Sequence, residues 1–127
     1  MEDKRLFDGE YRFMNLVWEM EPVNSTELSK ACFSRLGWKK STSYTVLKKM
    51  AERGFVKNES AVVTALVSRE EVQRYESESI VDKSFGGSLP AFVTAFLKDR
   101  KLSGKEADEI RAMIEKAVEE QNDGSND

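Results

Sequence analysis

The sequence predicts a mostly α-helical chain with one small β-hairpin: three helices, the hairpin, then a second helical region. Three observations carry this. Apolar residues recur at helical spacing in successive segments up to residue 54, each closed by Pro or Gly. Directly after Gly54 the stretch FVKNESAVVTALVS turns to β-branched runs broken by Asn58-Glu59-Ser60, which reads as a short hairpin. From Arg69 the helical period returns and continues almost to the end.

The first helix is expected over residues 8–20. Asp8 is placed to cap it, Phe13, Leu16, Val17 and Met20 form its apolar stripe, Met14 and Trp18 border the stripe, and Pro22 stops it. Asn24, Ser25 or Thr26 opens the second helix, with Glu27 in its first turn; Leu28, Ala31, Cys32 and Leu36 make its inner face and Gly37 ends it. The third lies within WKKSTSYTVLKKMAERG, Trp38 to Gly54, with Ser41 as the expected N-cap and Gly54 as the left-handed residue that closes it. At about 100° per residue, Leu47, Met50 and Gly54 fall close to Ser43, flanked by Val46 and Ala51, so this side packs. Ser41, Thr45, Lys48 and Glu52 point the other way, with Thr42 and Lys49 on one flank and Tyr44 on the other.

After the hairpin, REEVQRYESESIVDKSF carries only a thin stripe of Val72, Tyr75, Ser79 and Val81 or Ile80, as a connecting helix would. Phe85-Gly86-Gly87 reads as a hinge. Ser88 or Leu89 starts the next helix, where Pro90 is tolerated in the first turn, and LPAFVTAFLKDR gathers Leu89, Phe92, Val93, Phe96 and Leu97 on one side. Ser103-Gly104-Lys105-Glu106 has the capping-box pattern, opening a last helix striped by Ala107, Ile110, Met113, Ile114, Ala117 and Val118. The expected organisation is residues 1–68 as one domain, 69–121 as a helical domain and 122–127 as a disordered tail.

Composition narrows the function. Of 127 residues, 39% are apolar and 34% charged, enough for a modest core beneath a highly charged surface. No apolar run is long enough to cross a bilayer and MEDKRLFDGE lacks an apolar signal segment, so the chain reads as cytoplasmic, without membrane insertion. Cys32 is the single cysteine and there is no histidine, which excludes a disulfide framework and a Cys/His metal site within one chain. Cys32 itself reads as a small buried hydrophobe. No nucleophile–base pair, metal cluster or phosphate loop is present, so neither an enzyme nor a cofactor is expected.

The net charge of −3 hides an asymmetry. Residues 1–67 hold 11 basic and 9 acidic side chains, a net of +2, whereas residues 68–127 hold 9 and 14, a net of −5. Within residues 30–57, Lys30, Arg35, Lys39, Lys40, Lys48, Lys49, Arg53 and Lys57 face Glu52 alone. Such a patch around one helix is a footprint for phosphates.

Three helices followed by a hairpin make a winged helix, a helix-turn-helix variant with the hairpin as wing. The third helix is then its recognition helix. Hydroxyls reach base edges or phosphates and lysines neutralise phosphates, which selects Trp38, Lys39, Lys40, Ser41, Thr42, Tyr44, Thr45, Lys48, Lys49 and, on the wing, Lys57 as DNA-binding candidates. The competing reading is an amphipathic helix with an ordinary solvated face. Trp38 is either core or leans its ring edge on a phosphate, and the wing tip carries Glu59. The last two helices cannot bury their apolar faces alone. Pairing with a second copy through Leu89, Phe92, Val93, Phe96, Leu97, Ile110, Met113, Ile114 and Ala117 would present two recognition helices to a dyad-symmetric site; the alternative is that they fold back on the N-terminal domain. A protein-interaction module that uses the positive face for an acidic partner is the second functional class.

These residues resemble the penicillinase-repressor family of bacterial regulators over nearly the whole chain. Asp8, Glu10, Met14 and Trp18 match its first helix; Trp38, Thr42, Thr45, Leu47, Lys49 and Gly54 match its recognition segment in register; FLKDRKLSGKEADEI is similar to its C-terminal segment. The resemblance implies a homodimeric repressor that binds an inverted repeat at a promoter. Ser41, Thr42 and Thr45 would contact bases, and Lys39, Lys40, Lys48 and Lys49 phosphates. In antibiotic-responsive members a membrane metalloprotease sensor leads to cleavage within the dimerisation helices, and the corresponding bond is Ala95–Phe96. The chain departs from the pattern in four places. Cleaved relatives typically carry Asn where Ala95 stands; no cysteine follows Cys32 to form a copper hook; Ser43 replaces an apolar residue on the packed side of the recognition helix; and the wing is short, without a basic tip. The alternative within the same resemblance is a regulator of an operon unrelated to β-lactams.

Overall fold

The computed structural model describes residues 3–125, with side chains through residue 122. The elements run α1 (Asp8–Met20), β1 (Val23–Asn24), α2 (Ser25–Leu36), α3 (Lys40–Glu52), β2 (Val56–Glu59), β3 (Val62–Ala65), α4 (Arg69–Phe85), α5 (Leu89–Leu97) and α6 (Gly104–Ser125). The three strands form an antiparallel sheet in the order β1-β3-β2. This is the expected winged helix with a helical C-terminal region. β1 escapes sequence reading because two residues carry no period; it exists only as the pairing of Val23 with Val63 and Asn24 with Val62.

One core holds the N-terminal unit together. Phe13, Met14, Leu16 and Val17 of α1, Leu28 and Cys32 of α2, Leu47 and Met50 of α3 and Val56 and Val63 of the sheet are buried together with Leu6, Phe55 and Val72. Cys32 is fully enclosed, and burial pushes its thiol pKa up to about 11, so it is inert as a nucleophile. Trp18 lies at the edge, its Nε1 donating to the Val67 carbonyl at 2.9 Å.

Two helix caps and the hairpin turn differ from expectation. α1 begins after Phe7, not with Asp8 as the cap: the Phe7 amide donates to Glu10 Oε1 at 2.9 Å, so a carboxylate one turn inside the helix does the capping. α3 is capped at Lys39, and Ser41 lies inside its first turn; the chain arrives extended at Lys39 (φ −64°, ψ 154°). The hairpin turns at Ser60-Ala61, both left-handed at φ 50° and 67°, while Asn58 and Glu59 belong to β2. A two-residue loop of the type I′ kind has positive φ at both positions, which matches strand twist, and the absence of Asn-Gly there conceals the turn. Other signals hold. Asn24 caps α2 by accepting from the Thr26 amide, and Gly37 (φ 73°) and Gly54 (φ 81°) end α2 and α3 in the left-handed conformation.

α4 starts in a Ser68–Glu71 capping box and seats Val72 in the core. Gly86 (φ 57°) and Gly87 (φ 84°) turn the chain, and Phe85 meets Phe92 edge to face at 5.5 Å between centroids. α5 stops at Leu97, where its apolar stripe also ends, because Lys98 is extended and Asp99 left-handed (φ 59°). Ser103 caps α6, accepting from the Glu106 amide at 3.1 Å. α6 continues through residues 122–125, which composition assigns to a disordered tail; Asn126 and Asp127 of that tail, like Met1 and Glu2, lie outside the described residues. α5 and α6 do not fold back on the core: Leu89, Val93, Phe96, Ile110, Met113 and Ile114 are all at least 40% exposed.

Candidate nucleic-acid interface

α3 presents the two faces its sequence requires. Ser43, Leu47 and Met50 are buried, Val46 and Ala51 half-buried, and Ser41, Thr42, Thr45, Lys48, Lys49 and Glu52 exposed. Ser43, the polar residue on the packed side, is satisfied. Its hydroxyl donates to the Lys40 carbonyl at 2.7 Å, so the Ser29 hydroxyl donates to it at 2.8 Å. A buried hydroxyl pair thus replaces an apolar contact between α2 and α3.

The candidate residues divide by what already occupies them. Among the described residues Lys39 and Lys48 are ion-paired with no carboxylate, and both are exposed beside Ser41, Thr42 and Thr45. Thr45 donates to the Ser41 carbonyl at 2.9 Å, which fixes its rotamer and leaves its oxygen free to accept. Lys40 stands 6.0 Å from the Tyr44 ring centroid. The Tyr44 phenol is held below its usual pKa by the Thr26 hydroxyl first, then Ser25, with the Lys40 charge adding to them. Lys57 is paired with Glu59 at 3.2 Å, so the wing carries almost no free positive charge. Trp38 is half-buried at the core edge, its ring parallel to Phe13 with centroids 6.3 Å apart.

Lys49 faces inward as well as outward. Its Nζ lies 3.0 Å from Glu10 Oε2, a contact outside good hydrogen-bond geometry but close enough for strong attraction. Glu10 Oε1 accepts from Arg53 Nη1 at 3.0 Å, and Arg53 Nη2 donates to the Arg5 carbonyl at 2.5 Å. Burial pushes the Glu10 carboxyl pKa up, but the Phe7 amide, Lys49 and Arg53 outweigh it and hold the value below 4.5. The segment before α1 is tied onward to α4 by Tyr75 donating to Asp3 at 3.1 Å and by Lys4–Glu71 at 3.3 Å. Glu10 and Arg53 are thus site residues that a reading for phosphate anchors passes over. The available signal was an acid in helical line with Phe13, Met14 and Val17, where a solvated face would not fall.

Fold and site define a winged-helix protein whose third helix has a cationic, hydroxyl-rich outer face, with an appended helical region. No described helix is long and apolar enough to cross a membrane. The family described as "Penicillinase repressor" matches residues 7–116, and the chain belongs to it, a family of transcriptional repressors and not of enzymes. A penicillinase repressor of Bacillus licheniformis is 24% identical over 115 residues, covering 87% of this chain and 90% of that one. The methicillin resistance regulatory protein MecI of Staphylococcus aureus is 22% identical over 112 residues, covering 85% and 91%. A penicillinase repressor of Staphylococcus aureus is 18% identical over 110 residues, covering 84% and 87%.

Proposed function

We propose that the protein is a homodimeric repressor that reads a dyad-symmetric operator with α3. The observation that carries this is the outer face of α3, where Ser41, Thr42 and Thr45 are interleaved with exposed Lys39, Lys40 and Lys48. In this reading the hydroxyls and Tyr44 meet base edges and the lysines meet phosphates. Lys49 serves partly as a phosphate contact and partly as the clamp on Glu10, and Lys57 contributes little. Residues 1–68 form the DNA-binding domain and residues 69–121 the dimerisation domain. Leu89, Phe92, Val93, Phe96, Leu97, Ile110, Met113, Ile114 and Ala117 form the dimer surface, supported by the open apolar groove of about 520 Å³ that several of them line between α5 and α6. Cleavage by a membrane metalloprotease sensor at Ala95–Phe96, on exposed α5, would separate α6 from the DNA-binding domain and remove the gain from two linked half-sites.

Fluorescence anisotropy tests the reading with two duplexes, the dyad element of the gene's own promoter and the same bases scrambled, at several salt concentrations. Tight, salt-sensitive binding with a clear preference for the first is expected. Equal weak binding to both refutes operator recognition and turns attention to an acidic protein partner. Thr45→Ala is expected to relax the preference by about 1–3 kcal/mol at the base it contacts; an unchanged preference removes Thr45 from base reading.

A further inference from the structure

An open groove of about 510 Å³ lies between α2 and the start of α3, lined by Thr26, Ser29, Lys30, Phe33, Lys39 and Lys40. Its walls are mostly apolar, although half of its lining residues are lysines. Phe33 is 67% exposed in the last turn of α2, on the same face as Thr26 and Lys30 and turned away from the core. A large uncovered phenyl ring is costly in water and contributes nothing to holding a bare phosphate, for which ammonium and hydroxyl groups suffice.

We propose that this groove binds a small organic anion with an apolar body, an aromatic or short acyl carboxylate. Phe33 and the methylene stems of the lysines would cover the body. Lys39 and Lys40 would take the carboxylate, because the Lys30 ammonium is shared with Glu27 at 3.4 Å while Lys39 and Lys40 pair with no carboxylate among the described residues. The charge complementarity selects an anion and the phenyl ring selects one that is not purely polar. Resting on the DNA reading above, the same two lysines are phosphate anchors, so an occupied groove competes with operator binding and releases the repressor without cutting it.

The test uses the full chain, isotopically labelled and without DNA, at constant ionic strength. Backbone amide shifts are followed by NMR during titration with phenylacetate, its neutral counterpart 2-phenylethanol and inorganic phosphate. Phenylacetate is expected to give saturable shifts confined to residues 26–40, with midpoints about tenfold lower than either comparison compound. Phe33→Ser, at an exposed position, is expected to weaken phenylacetate about tenfold and leave phosphate unmoved. Phosphate matching phenylacetate, shifts centred on Phe96 and Ile110, or shifts that never saturate each overturn the site. In a separate anisotropy measurement, phenylacetate should weaken operator binding by the wild type and not by Phe33→Ser; unaltered binding overturns the competition. A chain with no operator preference defeats the DNA reading yet leaves the amide titration standing, so the two fail separately.

Discussion

Replacing Glu10 by Gln keeps the shape of the side chain and removes its charge, at a position where the residue is 6% exposed. The amide oxygen of Gln can keep both bonds that Oε1 accepts, from the Phe7 amide and from Arg53, but each loses charge assistance, at about 1 kcal/mol each. The Lys49 contact adds at most about 1 kcal/mol, because the lysine is 55% exposed and water screens it. The sum is a loss of about 2–3 kcal/mol, or roughly 10–20 °C in Tm for a domain of this size. Urea denaturation followed by tryptophan fluorescence at fixed protein concentration measures it. The pH dependence is diagnostic. Since the folded Glu10 titrates below its ordinary 4.5, its stabilisation is complete above that value and is lost as pH falls through the folded pKa. Wild type and Glu10→Gln should therefore differ fully at pH 7 and converge in acid below the folded value. Equal stability at pH 7 would falsify the claim that the Glu10–Arg53–Lys49 cluster holds α1 against α3. A difference that persists undiminished in acid would show that the loss is one of packing and not of charge.

Three further outcomes are expected. Ser43→Ala should destabilise by about 1–3 kcal/mol because it strands the buried Ser29 hydroxyl, and adding Ser29→Ala should recover part of that loss in the same urea assay; strictly additive losses would deny the pair. Lys48→Ala should lower the slope of log K against log salt by about 1, and Lys49→Ala by less while costing stability, since only Lys48 stands clear of an acid; equal slopes for the two variants would contradict this division. Phe96→Asp, which sets a carboxylate in the apolar face of α5, should convert a dimer to a monomer in sedimentation at micromolar concentration; a wild-type monomer there would remove the dimer altogether.

What the sequence determined by itself is local and periodic. The two faces of α3, the apolar stripes of α1 and α2, the left-handed glycines that end α2 and α3, and the cap at Ser103 follow from 3.6-residue spacing and from backbone needs that few residue types meet. Those features are legible because each depends on neighbours within about two turns. The tertiary structure alone decided which groups meet across long separations. It turned Glu10 from a surface-type residue into the acceptor that anchors Arg53. It also settled Trp38 onto Phe13, paired Ser29 with Ser43, and drew Val23 and Asn24 into a strand with β3. A periodic pattern records which side of an element is buried, but not the partner that waits there. Whether a lysine on an exposed face is free for phosphate or already paired is therefore set by packing between elements distant in the chain.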